Sequence, residues 1–262
     1  MMAIALVTDF GLQDGYVGTM KGVMAAIAPQ ALVIDLSHNI PPQDLWAGRF
    51  CLLSAAPYFP PETIFVGVVD PGVGTNRQAI AVELNQGYFV GPNNGLGSGL
   101  FAEDAIVAAI ELDNPQYWRS PLRENLSHTF HGRDIFAPVA AHLSLGVPLS
   151  KLGRPLKSAE IMRLDVPPYQ SNGKSYTGII QHIDHFGNLI TTIPNTVCAN
   201  NQGQATLAGQ QIPLVCTYGD VPKNHPCALV GSHGWLEISV NQGNAQHFFQ
   251  VQRGAMVQYQ IC

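Results

Sequence analysis

The chain changes its hydrophobic rhythm once, near residue 170, and that break constrains the fold more than any other feature. Before it, short apolar runs alternate with segments whose apolar residues recur at helical spacing. Residues 3–8 read as a strand. Tyr16, Val17, Met20, Val23, Met24 and Ile27 then share a helix face behind Asp14-Gly15, a candidate N-terminal cap. Residues 32–36 form the next strand, followed by a helix through Leu45, Trp46, Phe50 and Leu53, and by strands at 63–69, 79–84, 88–90 and 105–112. A last helical pattern aligns Ile135, Phe136, Val139, Ala140 and Leu143. Its Pro138 is tolerated if the helix starts near Asp134. Beyond Pro167-Pro168 and Ser171-Asn172-Gly173 no long helical period returns. Short apolar segments at 176–183, 189–193, 205–207, 212–217, 228–230, 236–240, 248–251 and 256–261 read as strands with turns between them. The expected class is α/β: an N-terminal, mostly parallel α/β sandwich domain over 1–170, and a smaller C-terminal antiparallel β-barrel domain over 171–262.

Composition narrows what such a chain can do. At 262 residues it can bury a sizeable core, and its net charge of −5 argues against nucleic acid or an anionic membrane surface as partner. Charged residues are only 12% of the chain, about half the usual share. So few charges cover a monomer poorly, which implies surface hidden in an oligomer. The five cysteines (Cys51, Cys198, Cys216, Cys227, Cys262) form no CxxC pair, so neither a disulfide framework nor a zinc site is expected, and a reducing cytoplasm suits them. The opening residues lack a basic lead and read as a strand rather than a signal peptide, and no apolar run reaches the length of a membrane span.

Two segments point to chemistry. Val68-Val69-Asp70-Pro71-Gly72-Val73-Gly74-Thr75-Asn76-Arg77 follows an apolar strand. Thr129-Phe130-His131-Gly132-Arg133-Asp134 opens a helix. Strand carboxyl ends and helix entrances are where open α/β sheets place their reactive groups. Singly, each residue has an ordinary explanation: Asp70 as a turn former, Arg77 as a solvated charge, His131 as a capping imidazole. Metal ligation by His128, His131 and Asp134, or by His182 and His185, matches no specific ligand spacing.

Together with Thr8-Asp9-Phe10-Gly11-Leu12-Gln13-Asp14-Gly15-Tyr16-Val17-Gly18, Gly91-Pro92-Asn93-Asn94-Gly95-Leu96, Asp184-His185-Phe186-Gly187-Asn188 and Gly231-Ser232-His233-Gly234-Trp235-Leu236-Glu237-Ile238, these segments form six ordered motifs. From about residue 4 to 250 the chain resembles the adenosine-forming S-adenosyl-L-methionine hydrolase family, related to the fluorinases and chlorinases. The resemblance implies hydrolysis of S-adenosyl-L-methionine to adenosine and L-methionine, with water or hydroxide attacking C5′. It implies a catalytic trio of Asp70, Arg77 and His131; on physical grounds Asp70 and His131 are expected jointly to hold the water and take its proton, while Arg77 fixes Asp70 and stabilises developing hydroxide character. It also implies a ribose-diol acceptor at Asp9, and contacts from Asp184 to the substrate ammonium, Phe186 to the adenine face, Asn188 to its edge and Ser232 near the methionine end. Asp14 is either a ligand or a helix cap. His233 stands where the halogenating relatives carry Arg, and Asn93 where the motif carries Asp. The substrate is a small molecule, no cofactor or metal is expected, and the family implies a homotrimer with sites at subunit interfaces. The alternatives are a halogenase on the same scaffold and a non-catalytic nucleoside-binding protein. Against the first, a carboxylate about 4 Å from a halide repels it by roughly 4 kcal/mol at an effective dielectric near 20, and the insertion that marks the fluorinases is missing. Against the second, mere binding needs no Asp/Arg/His set at the nucleophile's position.

Overall fold

The computed structural model describes residues 2–103, 106–120, 126–198 and 203–261. Ala105, the first residue of one expected strand, and Cys262 lie outside them. The chain divides into two compact units, Met1–Leu164 and Asp165–Cys262.

The first unit contains, in order, β1 (Ile4–Thr8), α1 (Tyr16–Ile27), β2 (Val33–Ser37), α2 (Leu45–Ala55), β3 (Thr63–Val68), β4 (Ala79–Leu84), β5 (Gly87–Pro92), α3 (Ser98–Glu103), β6 (Ile106–Glu111), a π-helical segment (Gly132–Phe136), α4 (Ala137–Ser144) and β7 (Arg154–Pro155). The strands form one sheet in the order β2-β1-β3-β5-β4-β6-β7. The first four run parallel, and β4, β6 and β7 join them antiparallel. β1 and β3 are buried throughout, and apolar but for Thr8 and Thr63, because both sheet faces are covered. Ile4 and Leu6 enter a core with Met20 and Met24 of α1 and Val139 and Leu143 of α4. Ala5 and Val7 point the other way, against Leu52 of α2 and Leu100 of α3. Each large aliphatic side chain buried this way contributes about 1.5–3 kcal/mol.

Two local expectations change here. Helix α1 begins after Gly15 with no side-chain cap, so Asp14 does not cap it. The helix after His131 starts as a π turn, in which the Ala137 N–H reaches back to the Gly132 carbonyl. Pro138 lacks the N–H that would bond the Asp134 carbonyl, and the Arg119 N–H takes that carbonyl at 2.9 Å instead.

The second unit contains β8 (Gln170–Asn172), β9 (Ser175–Ile183), β10 (Leu189–Pro194), β11 (Gly203–Leu207), β12 (Gln210–Pro213), β13 (Pro226–Val230), β14 (Trp235–Val240), α5 (Ala245–Phe249) and β15 (Met256–Ile261). The strand order is β12-β11-β15-β9-β10-β14-β13 with β8 beside β9, and these pairings are antiparallel. A bridge between Leu214 and Ala228 brings the two ends of the sheet together, so the unit is a nearly closed barrel. Its interior holds Ile180, Leu189, Leu236, Ile238, Val257 and Tyr259.

The strand expected at 248–251 is instead the end of α5. Asn244 accepts the His247 N–H at 2.8 Å as an N-cap, Ala245 and Phe249 are buried four residues apart, and Gln250 closes the helix in left-handed backbone. The strand expected to reach Thr217 stops at Pro213, because the Asp220 carboxylate captures the N–H groups of Cys216 and Thr217 in a turn. Among the described residues no helix is long and apolar enough to cross a membrane.

Candidate active site

Asp9 and Asp70 come from one edge of the first sheet. β1 and β3 are parallel neighbours with Thr8 opposite Val68, so the residues following each strand emerge side by side. They line a cleft of about 270 Å³ together with Phe10, Gln43, Phe130 and His131.

Arg77 ties this edge to the π-helical entrance. Its Nε donates to both carboxylate oxygens of Asp70, at 2.9 and 3.1 Å, and its Nη2 pairs with Asp70 Oδ2. The same Nη2 lies 3.0 Å from His131 Nδ1. The guanidinium carbon sits 5.3 Å from the ring centroid of the buried Phe136. Arg77 is therefore a half-buried bridge between two groups, not a solvated charge. A guanidinium has no lone pair to offer, so His131 Nδ1 must accept and the proton of the neutral ring is assigned to Nε2. Burial, and then the Arg77 charge, push the His131 pKa below its ordinary value.

The segments carrying these groups are held by close packing. Gly74 has φ +77°, and a Cβ there would lie 2.2 Å from the His128 carbonyl oxygen. Only glycine permits that approach of the Asp70–Arg77 loop to the His131 loop. The His131 loop is anchored by Asp134, whose buried carboxylate takes the Ser127 N–H at 2.9 Å and pairs with Arg119 and Arg133. Asp134 is thus engaged with two arginines and does not join a metal-ligand set. Among the described residues no three His, Cys, Asp or Glu side chains cluster to hold a metal.

Asn94 was not a candidate from sequence, yet its Nδ2 donates to the Val69 carbonyl at 2.9 Å and so fixes the backbone just before Asp70. Asn93 explains itself: its Nδ2 donates to Gln78 Oε1 and the Glu160 carbonyl, while its Oδ1 accepts the Met162 N–H. An aspartate could only accept, and would face two oxygens without a donor. The Asn-Asn-Gly run was the available signal for both residues. Asp14 is exposed and does not line the cleft.

In the second unit, Asp184, Phe186 and Asn188 share the turn between β9 and β10. Asp184 Oδ1 accepts the N–H groups of Phe186 and Asn188 at 2.9 and 2.8 Å, and Oδ2 accepts Asn188 Nδ2 at 2.9 Å. Gly187 is held at φ +84° against Asn244, where a Cβ would lie 2.2 Å from the amide. This rigid turn leaves the Phe186 ring 72% exposed. Ser232 is exposed in the turn between β13 and β14. Beside it, His233 stacks on Trp235 and points Nε2 at the buried Glu237 carboxylate, 3.0 Å away. His233 is thereby committed to Glu237 rather than standing in for a free arginine. The structure therefore groups Asp9, Asp70, Arg77 and His131 in the first unit, and Asp184, Phe186 and Asn188 in one turn of the second.

Residues 4–153 match the model of the SAM hydroxide adenosyltransferase N-terminal domain, and residues 178–258 that of its C-terminal domain. The chain belongs to the SAM hydroxide adenosyltransferase family. It is 38% identical to the (R)-S-adenosyl-L-methionine hydrolase of Salinispora arenicola over 96% of this chain and 95% of that one. Against the enzyme of the same name from Thermus thermophilus it is also 38% identical, over 98% and 99%. A fluorinase from an Actinoplanes species is more distant, at 28% identity over 97% and 96%. A crystal structure of an uncharacterized conserved protein from Thermotoga maritima superposes with a TM-score of 0.90 at 34% identity, covering 98% of this chain and 99% of that one.

Proposed function

We propose that this family member hydrolyses S-adenosyl-L-methionine to adenosine and L-methionine, with Asp70, Arg77 and His131 acting on the attacking water. The observation that carries the reading is the Asp70–Arg77–His131 bridge opening onto a cleft that also holds Asp9.

The substrate is a sulfonium cation, and methionine leaves as a neutral thioether. No acid is needed at the leaving group. The reaction needs an oxygen held in line with the C5′–S bond, and one proton is released as the C5′–O bond forms. Asp70 commits part of its acceptor capacity to Arg77 and keeps lone pairs for the water, whose proton it takes. His131, neutral and carrying its proton on Nε2, donates to the water oxygen and orients the lone pair that attacks. With Nδ1 taken up by Arg77 and the proton on Nε2, His131 positions the water and leaves its proton to Asp70 alone, unlike the shared role expected from the sequence. Asp9 accepts from the ribose hydroxyls. Asp184, Phe186, Asn188 and Ser232 supply the contacts to adenine and the methionine end, and Asp14, outside the cleft, is a further substrate carboxylate.

The enzyme is a cytoplasmic homotrimer with sites at its subunit interfaces, and it uses neither metal nor cofactor. A first-unit cleft of about 270 Å³ is small for a ligand of this size, which supports a site completed by further protein surface. Chromatography of the products of purified protein, with and without chelator and halide, tests the reading. Adenosine and methionine are expected in every arm. Halogenated nucleoside alone, or no turnover, overturns it.

A further inference from the structure

Asp9 has a use in this reaction, and the structure also shows what holds it. The residues on either side of Asp9 are tied to one histidine. The buried Thr8 hydroxyl lies 2.9 Å from His38 Nδ1 and accepts the Phe10 N–H at 3.3 Å. The His38 carbonyl accepts the Gly11 N–H at 2.8 Å. Across the ring, His38 Nε2 lies 3.0 Å from Asp35 Oδ1, and Asp35 Oδ2 accepts from Lys21 Nζ at 2.6 Å. That carboxylate favours the ring proton on Nε2, so Nδ1 accepts and the Thr8 hydroxyl donates. The Nε2–Oδ1 approach is close but lacks the alignment of a hydrogen bond.

The Asp9 carboxylate has its own contact in the same connection. The Gln43 N–H donates to Oδ2 at 2.8 Å, from a backbone held at φ +65°. A glutamine is strained there, and Gln43 lines the cleft beside Asp9. Strain of this kind persists where surrounding structure imposes it, and it gathers at functional sites.

We propose that the connection 38–43 is a positioning element for Asp9, with His38 fixing the backbone on both sides and Gln43 setting the carboxylate plane. The proposal rests on reading Asp9 as the ribose-diol acceptor. Two vicinal hydroxyls can be met together only if the plane of the carboxylate is held. Thr8, His38 and Gln43 are positioning residues, since none of them is asked to touch the reacting carbon.

The test compares calorimetric binding of adenosine and 2′,3′-dideoxyadenosine, alongside steady-state turnover of S-adenosyl-L-methionine, on the full chain. The unaltered protein prefers adenosine, and Asp9→Ala removes that preference. Thr8→Val and His38→Ala each reduce it roughly tenfold and raise KM far more than they lower kcat. His38→Asn, whose amide oxygen can accept from Thr8, recovers part of the loss. Gln43→Val, whose β-branched side chain cannot hold φ +65° and so turns the N–H away from Asp9, loses more preference than Gln43→Gly, which holds that backbone and keeps the N–H in place. A purely structural role would lower thermal stability without this split between diol and dideoxy ligands. If Asp9→Ala keeps the preference, the reading of Asp9 fails and takes the proposal with it. If Asp9→Ala loses it while Thr8→Val, His38→Ala and Gln43→Val keep it, Asp9 stands and the positioning element is overturned.

Discussion

Arg77 presents donors to two different acceptors, and that decides what each neighbour can do. The order of Asp70, Arg77 and His131 along the chain was legible from the motifs, but the bridging was not, because hydrogen-bond direction depends on folded geometry. The pairing also weakens the sequence argument against halide: a carboxylate already bonded to a guanidinium repels an anion less than an isolated one. Arg77→Lys, with one ammonium in place of a planar fork, cannot serve both partners and should lower kcat by roughly a hundredfold. His131→Ala and Asp70→Asn should likewise act on kcat rather than on substrate affinity, which calorimetry with a non-reacting analogue separates. Normal turnover at saturation in His131→Ala would refute its role. Because folded His131 binds its proton less readily than the unfolded chain does, it is neutral above its ordinary value near 6.5 and remains so somewhat below it. Stability linked to this group rises with pH between the depressed folded value and 6.5, and is fully present above that. The acid limb of kcat/KM should therefore fall below pH 6.5. A limb at or above pH 7 would contradict the neutral, Nδ1-accepting ring.

The elements were readable where a single period ran long enough, as in α1, β3 and β9. They were misread where a local polar contact overrode it. Residues 248–251 look like a strand because Phe248 and Phe249 are aromatic, yet the Asn244 cap starts a helix four residues earlier. The π turn before α4 had a sequence signal in Pro138, but the partner that completes it, the Arg119 N–H, lies far along the chain. Asp134 is the anchor of that element. Burial opposes its charge, but bonds from Arg133, the Ser127 N–H and Arg119 outweigh it and bring its pKa down to about 2 from 3.8. The folded value lies below the unfolded one, so the associated stability is present above pH 4 and is lost as pH falls through about 2. That shift corresponds to about 2 kcal/mol. Asp134→Asn should thus be destabilised by an amount of that order in denaturant at pH 7, with the gap narrowing toward pH 2. A gap that does not change with pH would show that packing, not charge, dominates there.

For the whole molecule, the break near residue 170 announced two kinds of architecture, and α/β sheet and near-closed barrel are what the chain folds into. Composition adds an argument about assembly that no single motif carries. With 12% charged residues the chain has few charges to cover a solitary surface, and Leu12, Phe186 and Met256 are largely exposed. The cleft that holds Asp9, Asp70 and His131 is built wholly from the first unit, while Asp184, Phe186 and Asn188 sit on a turn of the second. In the proposed homotrimer each site takes its first-unit face from one subunit and its second-unit face from a neighbour. Activity should then fall on dilution through the dissociation midpoint. Mixing an inactive His131→Ala chain with an inactive Asn188→Ala chain should restore part of the turnover, because mixed trimers contain some sites with both faces intact. Each variant alone, at the same total concentration, supplies the baseline. Mass measurement on differently tagged chains verifies that subunits have exchanged. Full activity in a monomer by light scattering, or no recovery after verified exchange, would refute the shared site while leaving the chemistry of Asp70, Arg77 and His131 untouched.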